Sequence, residues 1–160
     1  MKIVAGTLKV LRVLSMGALL VMMLVTIVDV TMRLVINELV LGSVEIVQLA
    51  LVASVFLALP ETFLRGEHIT VDVIDQVVSA GTLRWLRFAA TLVTTVFVGL
   101  LAWRLIPPAL DTLEVGDRTS DLQLSLFWYW LPLVVGGVAA ALTMVLVLLR
   151  GTSARKDQGP

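Results

Sequence analysis

The chain has 160 residues, 59% of them apolar and 15% charged, with a mean hydropathy of +1.01, against roughly 45 to 50% apolar and about 25% charged in soluble globular domains. Its twelve basic residues balance twelve acidic ones, which excludes intrinsic disorder driven by high net charge and leaves no basic excess for nucleic-acid binding. With no cysteine and a single histidine, His68, one chain cannot build a disulfide, a thiolate metal site, an iron–sulfur cluster or a bis-histidine haem, and no cofactor is expected.

A spanning helix needs about 20 mostly apolar residues to cross a hydrocarbon core about 30 Å thick. Four stretches approach that length: Val13 to Leu34, Val44 to Leu64, Leu83 to Ile106 and Leu124 to Leu149. Their apolar residues run around the whole circumference, unlike the single stripe of a soluble core helix. The expected fold is therefore an all-α integral membrane protein, one compact domain of four transmembrane helices with a polar tail over 150–160.

The first span follows the basic residues Lys2, Lys9 and Arg12. It resembles a signal peptide only superficially, because no small-x-small cleavage site follows it. Near its far end Asp29 and Arg33 stand at i and i+4 with the acid first, the order that favours pairing on one helix face. Glu45 opens the second span at that same end, so Asp29, Arg33 and Glu45 are expected to form a three-member cluster. A carboxylate beside a guanidinium stays charged, the opposite of what a proton carrier needs, so the pair reads as a structural staple.

Along the second span Ala50, Ser54 and Ala58 form an i, i+4, i+8 stripe of small residues, the kind that lets helices approach closely in lipid. Pro60 is expected to bend the helix, and Glu61 with Arg65 repeats the i, i+4 pairing at its end. After it come Gly66, Glu67, His68 and Ile69, and then Asp72. A lone interfacial histidine reads as a hydrogen-bonding anchor. Between the second and third spans Val73, Ile74, Val77 and Val78 share one helical face and Asp72, Asp75, Gln76 and Ser79 the other, which predicts a short amphipathic interfacial helix.

The third span carries Trp85 and Trp103 at its two ends, 18 residues apart, or about 27 Å of helix rise, close to one hydrocarbon thickness. Thr91, Thr95 and Gly99 form its small-residue stripe. Pro107 and Pro108 are expected to end this helix, since neither donates the backbone bond that continuation requires. The connection to Gln123 is acidic, with Asp111, Glu114, Asp117 and Asp121 against Arg118; it reads as a solvated loop or a docking surface for an external protein. Trp128 and Trp130 mark the entry to the fourth span, where Gly136 with Ala140 and Gly137 with Ala141 add a close-packing face. Part of these stripes is expected to face another membrane subunit.

Orientation follows from the lysine and arginine bias of the flanking segments. Lys2, Lys9, Arg12, Arg65, Arg84, Arg87, Arg150, Arg155 and Lys156 lie on one side, against Arg33, Arg104 and Arg118 on the other. Both termini are therefore expected to be cytoplasmic, with the first and third connections outside.

Asp29-x3-Arg33, Glu45 at the start of the second span, and Arg65-Gly66-Glu67-His68-Ile69-Thr70-Val71-Asp72 after it, in a four-span chain of this size, resemble the small membrane subunit (DctQ-like) of tripartite ATP-independent periplasmic (TRAP) transporters. The resemblance covers about residues 15 to 150, and its sharpest part is the Gly66, His68, Ile69 and Asp72 grouping. One departure is that Ser125, Leu126, Phe127 and Trp128 stand where a proline would precede the aromatic entry to the fourth span. The resemblance implies a bacterial or archaeal inner-membrane protein without enzymatic activity. It implies stable binding to a large membrane subunit that carries substrate and sodium by an elevator movement, and a periplasmic binding protein that delivers organic acids. The small subunit would then be part of the static scaffold. Two competing readings are an autonomous four-helix multidrug or cation exporter acting as a homodimer, and a membrane-bound enzyme. Such exporters carry an unpaired acid in mid-span, whereas Asp29 is near a span end and paired; an enzyme would need a nucleophile-base-orienter set, which is not evident.

Overall fold

A computed structural model of the chain describes residues 2–65 and 80–153. Four helices make up the fold: α1 (Lys2–Val35), α2 (Ser43–Arg65), α3 (Ala80–Val115) and α4 (Phe127–Ser153). Each is long and apolar enough to cross a membrane, so the protein is an all-α integral membrane protein. The expected interfacial helix, together with Gly66, His68, Ile69 and Asp72, lies outside the described residues.

The helices pack through three extensive seams, α1 on α2, α2 on α4 and α4 on α3. Their order in space is therefore α1, α2, α4, α3, with the parallel pair α2 and α4 in the middle. The outer helices α1 and α3 bury a much smaller share of their spans than α2 and α4 do. Large aliphatic and aromatic side chains cover their outward faces, Leu24, Ile27, Val93 and Phe97 among them. Such a surface is stable only in lipid or against another apolar partner.

The seam on α1 runs through Leu8, Leu11, Ser15, Ala18, Met22, Val25 and Asp29, buried at its start and half-buried beyond. Its steps alternate between three and four residues, which keeps a stripe straight on a helix of 3.6 residues per turn. The same alternation runs along α3 through Thr91, Thr95, Val98, Ala102, Leu105, Ala109 and Thr112. A run of four-residue steps drifts by about 40° each, and this is why Gly99 falls beside the α3 seam, not in it: a Cβ there would meet nothing within 4 Å.

Two prolines shape the central pair. Pro60 is fully buried within α2, and because it has no N–H the carbonyl of Phe56 loses its helical donor. Gly136 of α4 sits against that same oxygen, so closely that a Cβ on residue 136 would overlap it. A glycine Cα is the group that can approach a freed carbonyl at this range. Pro132 lies inside α4, whose entry is made without the missing proline: the Ser125 hydroxyl accepts the Phe127 N–H at 3.3 Å, a cap-like use of a serine side chain.

The third helix does not stop at Pro107 and Pro108, which lie inside α3. The two prolines strip the helical donors from the carbonyls of Trp103 and Arg104 only; from Ala109 onward N–H groups are available again. The Thr112 hydroxyl also donates to the Pro108 carbonyl at 2.7 Å. The helix ends instead at Gly116, whose φ of 73° is the left-handed conformation that closes many helices.

Candidate functional site

Among the described residues the ion pairs lie toward the two ends of the bundle. At the end where α1 stops and α2 and α4 begin, Asp29 is the first organising residue. Its Oδ2 accepts from Arg33 Nη2 at 2.7 Å, across one helical turn. Its Oδ1 accepts from the Val40 backbone N–H at 3.2 Å and from the Ser43 hydroxyl at 3.0 Å. Asp29 therefore ties the last turns of α1 to the first connection and to the first residue of α2. Asn37 and Gly42, at φ of 58° and 75°, turn the chain sharply enough for the connection to return within reach.

Glu45 does not join this cluster. Its side chain turns away from Arg33 and toward the third connection, where Oε1 accepts the backbone N–H of Asp121 at 2.8 Å and Oε2 that of Leu122 at 3.0 Å. Its carbonyl accepts the Tyr129 hydroxyl at 2.8 Å. One residue of α2 thus holds both the connection and the first turn of α4. A buried carboxylate needs such donors, and two adjacent backbone N–H groups fit its two oxygens.

The third connection is built to present those donors. Arg118 and Ser125 form an antiparallel bridge. The Thr119 N–H donates to the Leu124 carbonyl at 2.8 Å, the Leu124 N–H to the Thr119 hydroxyl at 3.0 Å, and the Leu126 N–H to the Asp117 carbonyl at 3.0 Å. At its tip the Leu122 side chain covers Gly42, where any Cβ would collide with it. The acidic segment is therefore a folded cap locked to the first connection. Sequence reading missed this role of Glu45; the available signal was an apolar residue, Leu122, within a polar loop, and a glycine placed just before Ser43.

At the opposite end Glu61 accepts from Arg12 Nη1 at 3.0 Å across the α1–α2 seam; its expected pairing with Arg65 falls on a side chain outside the described ones. Between the two ends Ser15 donates to the Ser54 carbonyl at 2.7 Å, and Ser54 donates to the Leu51 carbonyl at 2.8 Å. Of the small residues, Ala50, Ser54, Gly136, Gly137 and Ala140 are buried, and Ala58, Thr91, Thr95 and Ala141 are half-buried. Gly137 faces α3, where a Cβ would lie 3.1 Å from Leu105 Cδ1. Trp85 and Trp128 are exposed near helix ends and Trp130 is half-buried, as interfacial indoles tend to be, whereas Trp103, expected at the end of its span, is exposed within α3, which continues twelve residues beyond it to Val115. Among the described residues no group of three or more His, Cys, Asp or Glu side chains could hold a metal ion.

Four helices long and apolar enough to span a bilayer define a multi-pass membrane protein, and its carboxylates Asp29, Glu45 and Glu61 are bonded to neighbouring helices and connections. Residues 22–154 match the family Tripartite ATP-independent periplasmic transporters, DctQ component. The chain belongs to this family and is a small membrane component of a TRAP transporter, a multi-pass inner-membrane protein of a transporter family and not of an enzyme family. No curated protein matches the chain.

Proposed function

We propose that this chain is the static scaffold subunit of a sodium-coupled, binding-protein-dependent transporter for organic acids, and that it anchors the large elevator-type membrane subunit. In this reading both termini are cytoplasmic, the first and third connections face the periplasm, and a soluble binding protein visits that side transiently. The observation that carries the reading is the use of Asp29 and Glu45. Both sit near span ends, and both are occupied by bonds that tie helices and connections together. A carboxylate that carries an ion or a proton through a membrane must exchange its partners, and such groups sit deep, near the midplane.

The broad apolar faces of α1 and α3 supply surface for a large apolar partner as well as for lipid. Mild-detergent purification of the tagged chain from its native membrane tests the proposal. A large membrane protein recovered at one-to-one stoichiometry supports it, while a homodimer that transports alone when reconstituted overturns it.

A further inference from the structure

The two outer helices carry their charges at different heights. In α1 the charge-free run lies between Arg12 and Asp29, in α3 between Arg87 and Arg104, and each has 16 residues, or about 24 Å of rise. The packing fixes how the two runs stand relative to each other. Ser15 of α1 donates to the Ser54 carbonyl of α2, Gly136 of α4 lies on the Phe56 carbonyl of α2, and Gly137 meets Ala102 and Leu105 of α3. This layer crosses the α1 run three residues from its Arg12 end. It meets the α3 run at its Arg104 end, which points the opposite way, toward the start of α4. The centres of the two runs are therefore offset along the bundle by about 13 residues, or about 20 Å.

We propose that the protein crosses the bilayer obliquely, with the row of helices tilted by about 35° so that both charge-free runs lie in the hydrocarbon core. Three seams of about 9 Å each separate the outer helices, and a 20 Å offset over that width sets the angle, inside the range of up to about 40° known for membrane helices. Arg104 is the first support. It is exposed and forms no ion pair among the described residues, and an upright bundle centred on the layer would hold it in lipid at mid-depth, where a cation is costly. Trp85 and Trp103, both exposed, bracket the α3 run as interfacial anchors do. Helix length is the third: α1 has 34 residues and α3 36, against 23 and 27 in the central pair. The excess lies at opposite ends, over Lys2–Arg12 of α1 and Arg104–Val115 of α3. Tilting exchanges the charge-free 88–96 for 105–115, which carries Asp111 and Glu114. Ile106, Leu110 and Leu113 then leave the hydrocarbon, but one charge at the core costs several times what one such residue gains there. The last three turns of α3 thus stand outside the core beside the folded third connection. This placement holds whichever end faces the cytoplasm, and it does not rest on the scaffold reading.

Depth measurement tests it. The chain has no native cysteine, so Val93→Cys, Phe97→Cys, Leu110→Cys and Leu113→Cys, all at exposed positions, can each carry one spin label in the full chain, reconstituted in palmitoyl-oleoyl phosphatidylcholine vesicles. Power saturation with oxygen and a water-soluble nickel chelate reads the depth of each label. The oxygen-to-nickel accessibility ratio should be greatest at Val93 and Phe97, while Leu110 and Leu113 should match a label at Ser120 in the third connection. An upright bundle reverses the order, with Leu110 deeper than Val93, and overturns the proposal, as does equal depth at the two. A pair of charge insertions checks the same point without labels. Val93→Lys should lower the membrane-inserted yield several-fold, and Leu110→Lys should leave it unchanged. Equal loss in both, or loss in Leu110→Lys alone, also overturns the oblique placement.

Discussion

Gly136 of α4 lies directly against the main-chain oxygen of Phe56 of α2, the carbonyl that Pro60 deprives of its helical donor. The two central helices are thus matched at backbone level, a proline on one creating the acceptor that a glycine on the other approaches. Gly136→Ala should force them apart and destabilise the protein by about 1 to 3 kcal/mol, the usual cost of overpacking. Gly99→Ala places the same methyl in open space and should be neutral or stabilise by up to about 1 kcal/mol through helix propensity. Thermal melts of the two purified variants check the contrast, and equal effects would remove the special status of the Phe56 contact.

The four helices were legible in the sequence because a run of about 20 apolar residues needs no partner to be recognised. The Asp29 and Arg33 pairing was legible for a similar reason, being local to one turn. What escaped was set by contacts distant in sequence. Glu45 finds its donors 76 and 77 residues away, and Glu61 reaches back 49 residues to Arg12, neither of which helical spacing reports. Pro107 and Pro108 misled for a different reason. A proline removes one hydrogen bond at a fixed offset, and whether the helix survives depends on what lies beyond it, here a seam through Ala109 and Thr112 against α4.

Asp29 accepts three hydrogen bonds, from Arg33, Val40 and Ser43, and an asparagine retains only one oxygen to meet them. Asp29→Asn should therefore lower the yield of assembled protein, and Ser43→Ala should do so more mildly. Protein that does assemble should keep the sodium dependence of uptake, measured in reconstituted vesicles. Well-assembled Asp29→Asn protein that lost sodium coupling specifically would refute the structural role.

Arg12 and Glu61 join α1 to α2 at the end opposite Asp29, and the Arg12 side chain is 43% exposed. Solvent weakens such a pair, so Arg12→Gln should cost less than about 1 kcal/mol. Reversal is the sharper test. Arg12→Glu and Glu61→Arg should each lower the melting temperature, and the double exchange should recover most of the loss. Failure of the double variant to recover would mean that the two charges act independently.

Topology is testable at two exposed or terminal positions. If both termini are cytoplasmic, Ser120→Cys in the third connection should react with a membrane-impermeant maleimide in intact cells. Gln158→Cys should react only after the membrane is permeabilised. The native chain has no cysteine to confuse the reading, and the reverse pattern would invert the orientation inferred from the lysine and arginine bias.

Glu45 governs the third connection, which makes it the most informative residue to change. Its carboxylate holds two adjacent N–H groups, those of Asp121 and Leu122, while the Tyr129 bond goes to its main-chain carbonyl; side chain and backbone can therefore be tested separately. Glu45→Ala removes both acceptors and should speed amide exchange at Asp121 and Leu122 about tenfold or more, because the connection can then open locally without disturbing the helices. Glu45→Gln should be intermediate, since its oxygen can keep one bond while its amide presents a donor to the other N–H. Tyr129→Phe should leave exchange in the connection nearly unchanged and instead loosen the first turn of α4. If Glu45→Ala left exchange at both positions untouched, the internal bonds of Asp117, Thr119, Leu124 and Leu126 would suffice to hold the cap, and the carboxylate would be an accessory to it.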